Sequence, residues 1–135
     1  SGNNDQNDKF ETLMEKANFK VLNDEYDLIY IDSYTPILLL GLSSSIDNNV
    51  NIEDRFNKIN DSLNIDTALN ILLLHEPDYI DRINYSKFNL ILAGHSHNGQ
   101  VRLPIIGKIY TPVGAKKYYD EYYKVGDTDL IIQQV

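Results

Sequence analysis

The stretch Leu90-Ile91-Leu92-Ala93-Gly94-His95-Ser96-His97 decides the fold, because an apolar run ends abruptly in two histidines. The chain has three histidines in all, and the third, His75, closes the preceding apolar run at 69–74. Two short apolar runs joined by a connection long enough for a helix are typical of neighbouring parallel strands. Ligands in such sheets bind beyond the carboxyl ends of the strands. We therefore expect the three imidazoles, which are common metal ligands, to meet at one sheet edge.

A single histidine, taken alone, is more often a hydrogen-bonded structural residue than a ligand. The position of these three histidines favours the ligand interpretation, because a polar ring at a strand end needs a partner. A His-x-His pair at one strand end, with the remaining histidine at the end of the next strand, is difficult to explain as packing. The pattern predicts a joint metal site formed by His75, His95 and His97.

Composition limits the class of protein. A length of 135 residues with 42% hydrophobic and 24% charged residues is typical of one folded domain, so we treat 1–135 as a single domain. The net charge of −8 argues against nonspecific binding to nucleic acid or anionic membranes. Cysteine is absent, which excludes disulfides and thiolate zinc sites. The sequence contains no membrane-spanning segment, and the localisation of the parent protein stays open between the cytoplasm and a membrane.

Hydrophobic spacing predicts an alternation of helices and strands along the chain. Asp8 is expected to cap the first helix, and Gly126-Asp127 is expected to turn a C-terminal hairpin. The predicted helices cover about 9–18, 52–63 and 79–84, and the predicted strands cover about 20–22, 27–32, 37–42, 69–74, 88–93, 100–103, 109–111, 116–125 and 129–134. This order predicts an α/β fold.

Two longer motifs resemble a known family. His75-Glu76-Pro77-Asp78 and Leu92-Ala93-Gly94-His95-Ser96-His97-Asn98-Gly99-Gln100-Val101-Arg102-Leu103-Pro104 resemble segments of the calcineurin-like metallophosphoesterases. The resemblance is to their C-terminal half, in the bacterial branch with a Gly-His-x-His-Gly-Gly-Gln-Val-Arg-Leu-Pro motif. It implies part of a two-sheet sandwich flanked by helices. We expect the chain to be the C-terminal portion of such a domain, truncated at the N-terminus and at the C-terminus.

The resemblance also implies a dinuclear centre of divalent Mn, Fe or Zn ions. Asn3, His75 and His95 would hold the second metal ion, and His97 would serve the first. Asn4 stands where the family places the histidine that protonates the leaving oxygen, and a carboxamide cannot do this work near neutral pH. The alternative for the Gly2-Asn3-Asn4-Asp5 segment is a frayed polar terminus without a role in the site.

The function implied by the resemblance is hydrolysis of a phosphoester of unidentified structure. The Asp-x-His and Gly-Asp-x-x-Asp motifs of the family are not in this sequence, so we expect this fragment alone to be inactive. The alternative is a noncatalytic metal-binding or regulatory module that kept the fold. Half of a sandwich would leave an apolar sheet face uncovered, which predicts a homodimer of the fragment. No nucleic-acid partner is expected.

Overall fold

The computed structural model describes residues 8–31, 35–46, 51–97, 101–103 and 107–133. These residues form two α-helices, two short 3-10 helices, Pro77–Arg82 and Tyr85–Lys87, and eight strands. The α-helices are α1 (Asp8–Lys16) and α2 (Ile52–Asn60). The strands are β1 (Glu25–Ile29), β2 (Ile37–Leu42), β3 (Leu69–Leu74), β4 (Leu90–Ala93), β5 (Val101–Leu103), β6 (Gly107–Tyr110), β7 (Tyr122–Val125) and β8 (Thr128–Ile132).

Six of these strands form one mixed sheet in the order β1-β2-β3-β4-β8-β7. The four central strands are parallel, and each edge strand is antiparallel to its neighbour. β5 and β6 pair as a separate antiparallel ribbon. The α/β class predicted from the sequence is confirmed, whereas the two-sheet sandwich stays a prediction. None of the described helices is long and apolar enough to cross a membrane.

The hydrophobic core lies on one face of the six-stranded sheet. Successive side chains of a strand point to opposite faces, so every second residue of the central strands enters this core. Leu40, Leu72, Ile91 and Leu130 are the central residues of the four parallel strands, and each is fully buried. The core is closed by side chains of α2 and of the first 3-10 helix, namely Ile52, Phe56 and Ile80.

The opposite face of the sheet is only partly covered. The chain segment at Leu22 runs over this face at Gly41. A Cβ added to Gly41 would lie 2.5 Å from the Leu22 Cβ. Farther across the sheet, the register aligns Leu92, Ile131 and Tyr122 in one row. These three side chains are 37%, 44% and 56% exposed, and we call this row the open face. The sheet therefore has one buried face and one face that is apolar and partly in solvent.

Two predicted strands differ from the structure. The segment Lys20–Leu22 is not a strand, because it crosses over a sheet face at Gly41 and does not pair along a sheet edge. The predicted strand 116–125 is reduced to β7. The backbone N–H groups of residues 116–118, which a strand would use for its ladder, donate to the carboxylate of Asp78.

Several predicted boundaries also shift. α1 ends at Lys16 and not at residue 18, because Asn18 takes a left-handed backbone with a φ of 61°. Asp8, predicted as the cap, is the first helical residue. β4 begins at Leu90 and not at Phe88, because the Phe88 N–H donates to Tyr85 at the end of a 3-10 helix. The helix predicted at 79–84 is the 3-10 helix Pro77–Arg82, which opens with proline.

Candidate metal centre

Two adjacent parallel strands bring His75 and His95 together. β3 pairs with β4 so that Leu74 lies opposite Ala93, and the chain then continues into His75 on one strand and Gly94 on the other. The Gly94 N–H donates to the His75 carbonyl over 3.2 Å. The ring centres of His75 and His95 are 4.7 Å apart, and both residues are half-buried. The carboxyl ends of the two strands thus fix both imidazoles.

His97 lies on the same loop, farther from the pair. Its ring centre is 6.4 Å from that of His95, and the residue is exposed. His95 and His97 have positive φ angles of 63° and 45°, which are uncommon for residues other than glycine. Such conformations concentrate at functional sites, where the surrounding structure holds them in place. The left-handed turns of this loop are therefore made by the histidines themselves.

One hydrogen bond determines which nitrogen of His95 carries the proton. The Nε2 atom lies 3.0 Å from the backbone carbonyl oxygen of Val113. A carbonyl oxygen can only accept, so Nε2 must donate. In the neutral ring Nδ1 then carries no proton, as a nitrogen that coordinates a metal ion must.

The loop that presents Val113 is anchored by Asp78. We call residues 113–118 the Val113 loop. The Asp78 carboxylate accepts hydrogen bonds from the backbone N–H groups of Lys116, Lys117 and Tyr118 over 2.6, 2.9 and 2.9 Å. The Asp78 N–H donates to the Gly114 carbonyl over 2.8 Å. Asp78 therefore binds four of the six residues of this loop, three through its side chain and one through its backbone.

Glu76 anchors a second loop at the same sheet edge. This glutamate is fully buried, and it accepts hydrogen bonds from the Ser44 hydroxyl and, over 3.2 Å, from the Ser45 N–H. The two serines follow β2, the neighbour of β3 in the sheet. The residues that follow His75 therefore hold the loops on either side of it.

Two side chains of the Val113 loop, Lys117 and Tyr118, have raised pKa values. Lys117 donates to both carboxylate oxygens of Asp81 over 2.9 and 2.7 Å, and this contact raises the pKa of Lys117. Burial raises the pKa of the Tyr118 hydroxyl, which donates to Asp81 over 3.1 Å. With raised pKa values, Lys117 stays protonated and Tyr118 stays neutral at neutral pH.

The donor set fits a divalent ion, but it is incomplete within the described residues. Two imidazoles that bind one ion at about 2.0–2.1 Å place their ring centres about 5 Å apart, close to the spacing seen here. Within the described ranges, no group of three or more His, Cys, Asp or Glu side chains is arranged to hold an ion. Asn3 and Asn4 lie outside the described residues. The spacing of His75 and His95 is thus compatible with two ligands of one ion, and a complete site would need more.

Sequence reasoning missed Val113, whose carbonyl contacts the His95 ring, and Asp78, which binds the Val113 loop. Asp78 belongs to the His75-Glu76-Pro77-Asp78 motif, which was the available signal, but the motif alone does not reveal that its carboxylate binds a loop 38 residues later. Val113 acts through its backbone carbonyl, which every residue has. The sequence therefore contains no sign of its role.

Three curated proteins are similar to this chain. The uncharacterized metallophosphoesterase YkuE of Bacillus subtilis is 30% identical over 125 residues, which cover 93% of this chain and 42% of that protein. The phosphodiesterase YaeI of Escherichia coli is 38% identical over 48 residues, or 36% of this chain and 18% of that protein. An uncharacterized metallophosphoesterase of Campylobacter jejuni is 34% identical over 96 residues, or 70% of this chain and 24% of that protein.

The relatives agree with the family that the motifs indicate. Their names support a similarity to metallophosphoesterases, which are metal-binding hydrolases of phosphate esters. The chain spans less than half the length of each of these relatives. No protein-family model matches the chain, and no solved structure matches it with statistical significance.

Proposed function

We propose that the chain is the C-terminal portion of a calcineurin-like metallophosphoesterase domain, which hydrolyses phosphate esters at a dinuclear metal centre. The observation that carries the proposal is the contact between the His75 and His95 rings, 4.7 Å apart at the carboxyl edge of two parallel strands. The names of the relatives support the same reaction class. The substrate is a phosphoester, and its alcohol is not specified by these residues.

Each histidine has a distinct place in this proposal. His75 and His95 bind one ion, with His95 using Nδ1 because its Nε2 proton is donated to Val113. Asn3 joins them through its amide oxygen, and His97 belongs to the neighbouring ion. Bound divalent ions neutralise the charge of the phosphoryl oxygens. Mn, Fe and Zn all suit a site of mixed nitrogen and oxygen ligands.

Asn4 favours a second candidate function. If it occupies the position of the acid histidine, the leaving oxygen receives no proton from that side chain, because a carboxamide does not titrate near neutral pH. A domain that has lost this acid could persist as a noncatalytic metal-binding or regulatory module. The phosphoesterase and the noncatalytic module would both bind metal, but only the phosphoesterase would turn over a substrate.

Calorimetric titration of the chain with Zn²⁺ tests the metal site. Loss of a partner that only orients a ligand costs about 10–100-fold in affinity, so loss of a ligand should cost at least tenfold. We expect this loss for His75→Gln and for His95→Gln, and equal losses would place both on one ion. His97→Gln is the matched control and should change the affinity of that ion less than about threefold. Equal affinities for all three variants and the unmodified chain would refute the site.

A second experiment separates the enzyme from the noncatalytic module. We expect the 135-residue chain to show little turnover of p-nitrophenyl phosphate esters with excess Mn²⁺, because His97 would be the only protein ligand for one ion. The longer natural protein should hydrolyse them, and His95→Gln should abolish that activity. Metal binding without turnover in the longer protein would favour the module. Robust turnover by the chain alone, lost in His95→Gln, would show that it contains a complete site.

A further inference from the structure

We propose that Asp78 is a positioning residue for the metal centre, acting through the Val113 loop to fix the tautomer of His95. In this proposal Asp78 acts on His95 through the backbone of that loop. Its carboxylate holds the loop, and the loop holds the carbonyl that receives the His95 proton. The inference rests on the proposed function only in its last step, where the fixed ring binds an ion.

The first step is the set of hydrogen bonds between the Asp78 carboxylate and the Val113 loop. Three consecutive backbone N–H groups point at one carboxylate over 2.6 to 2.9 Å. Hydrogen bonds to an ionised acceptor are about twice as strong as those between neutral groups. An amide side chain would offer one oxygen and place an NH₂ group against the remaining N–H donors. Replacement of Asp78 by asparagine, its nearest isostere, would therefore remove part of these hydrogen bonds.

The second step runs along the loop to Val113. Gly114, the next residue, is tied through its carbonyl to the Asp78 N–H over 2.8 Å. A turn also spans Val113, because the Ala115 N–H donates back to the Pro112 carbonyl over 3.1 Å, and Ala115 is fully buried. The Val113 side chain is exposed, so its backbone position is set by these neighbours. The Val113 carbonyl thus precedes a segment that Asp78 holds through its backbone N–H at Gly114 and through its carboxylate from Lys116 onward, and only the carboxylate contacts are lost in a side-chain variant.

The third step is the effect on the ring. A neutral imidazole exists as two tautomers, and only the form with the proton on Nε2 can donate to Val113. A net hydrogen-bond contribution of ordinary size favours that form about fivefold. The same choice leaves Nδ1 unprotonated, as an ion requires. Asp78 therefore prepares His95 for metal before any metal is bound.

Nitrogen NMR of the metal-free chain tests the inference directly. Long-range ¹H–¹⁵N spectra report the tautomer of each histidine, and the chain has only three. His95→Gln identifies the His95 signal by its loss. At about pH 8.5, where free imidazole is neutral, Asp78→Asn should lower the ratio of the Nε2–H to the Nδ1–H form of His95 about fivefold.

The control is Asp81→Asn. Asp81 binds Lys117 and Tyr118 of the same loop, but only through their side chains. We expect this variant to leave the His95 tautomer ratio unchanged. A folded Asp78→Asn chain with the unmodified ratio, or an equal shift in both variants, would overturn the proposal. If Asp78→Asn does not fold, Asp78→Glu takes its place, because it keeps both oxygens one methylene farther out and should still lower the ratio.

A Zn²⁺ titration of the same variants separates this inference from the proposed function. Asp78→Asn should weaken Zn²⁺ binding about tenfold, as loss of a partner that orients a ligand does, and Asp81→Asn should not. A shifted tautomer ratio with unchanged Zn²⁺ affinity would support the positioning role and contradict His95 as a ligand. An unshifted ratio with weaker binding would contradict the positioning role and leave the metal site standing.

Discussion

Gly114 is constrained by two physical requirements at one position. Its φ of 94° lies in a region that residues with a Cβ rarely adopt. An added Cβ would also lie 2.8 Å from the Cβ and Cγ of the buried Glu76. Gly126, in the turn between β7 and β8, also has a positive φ, of 60°, but a Cβ there would meet nothing within 4 Å. A substitution at Gly126 therefore tests backbone strain alone, and one at Gly114 tests backbone strain together with steric overlap.

Gly114→Ala should destabilise the chain by about 3 kcal/mol, because overpacking adds to the backbone cost. Gly126→Ala, which has only the backbone cost, should lose about 1 kcal/mol. Urea unfolding followed by circular dichroism measures both free energies of unfolding. Equal losses in the two variants would mean that Glu76 moves aside, and that the loop is not packed tightly against it.

At the residue scale, the sequence predicts which rings lie near one another but not which groups contact them. His75, His95 and His97 could be located because imidazoles at the ends of apolar runs are visible as residue types. The contact of His95 with the Val113 carbonyl and the contacts of Asp78 with the Val113 loop join residues far apart in the chain. No local pattern encodes such contacts.

At the scale of secondary structure elements, prediction was most accurate where apolar runs have sharp ends. β2 and β3 match their predicted bounds, because each is an aliphatic run closed by polar residues. The segment at 116–125 has the alternation of a strand, but tertiary hydrogen bonds to Asp78 remove its first half from the sheet. Local propensity was overridden there by a side chain from another element.

β8 offers a test of the two sheet faces with adjacent residues. Leu130 is fully buried in the core, and Ile131 points to the open face and is 44% exposed. Leu130→Ala should lower the free energy of unfolding by about 2–5 kcal/mol, since it leaves a cavity. Ile131→Ala should lower it by about 1 kcal/mol or less, because solvent fills the space. Losses of similar size, measured by urea unfolding, would mean that the open face is covered in solution.

At the scale of the whole molecule, the open face is an apolar surface that the described residues leave partly in solvent. Leu92, Ile131 and Tyr122 lie side by side across three strands, and contiguous exposed apolar patches usually mark an interaction site. In the sandwich implied by the family resemblance, another sheet would cover this face. In the chain alone, a second copy is the available partner. The net charge of −8 opposes that association through repulsion between like charges.

We predict that the chain forms a homodimer through the open face, and that added salt strengthens it by screening the repulsion. Light scattering after size exclusion should give a dimeric mass at high concentration. Ile131→Lys should return the mass to that of a monomer, because a charge would be buried at the interface. Ile65→Lys is the matched control, since Ile65 is also 44% exposed but lies in the loop between α2 and β3. A monomer under all conditions, or equal dissociation by both variants, would contradict an interface at this face.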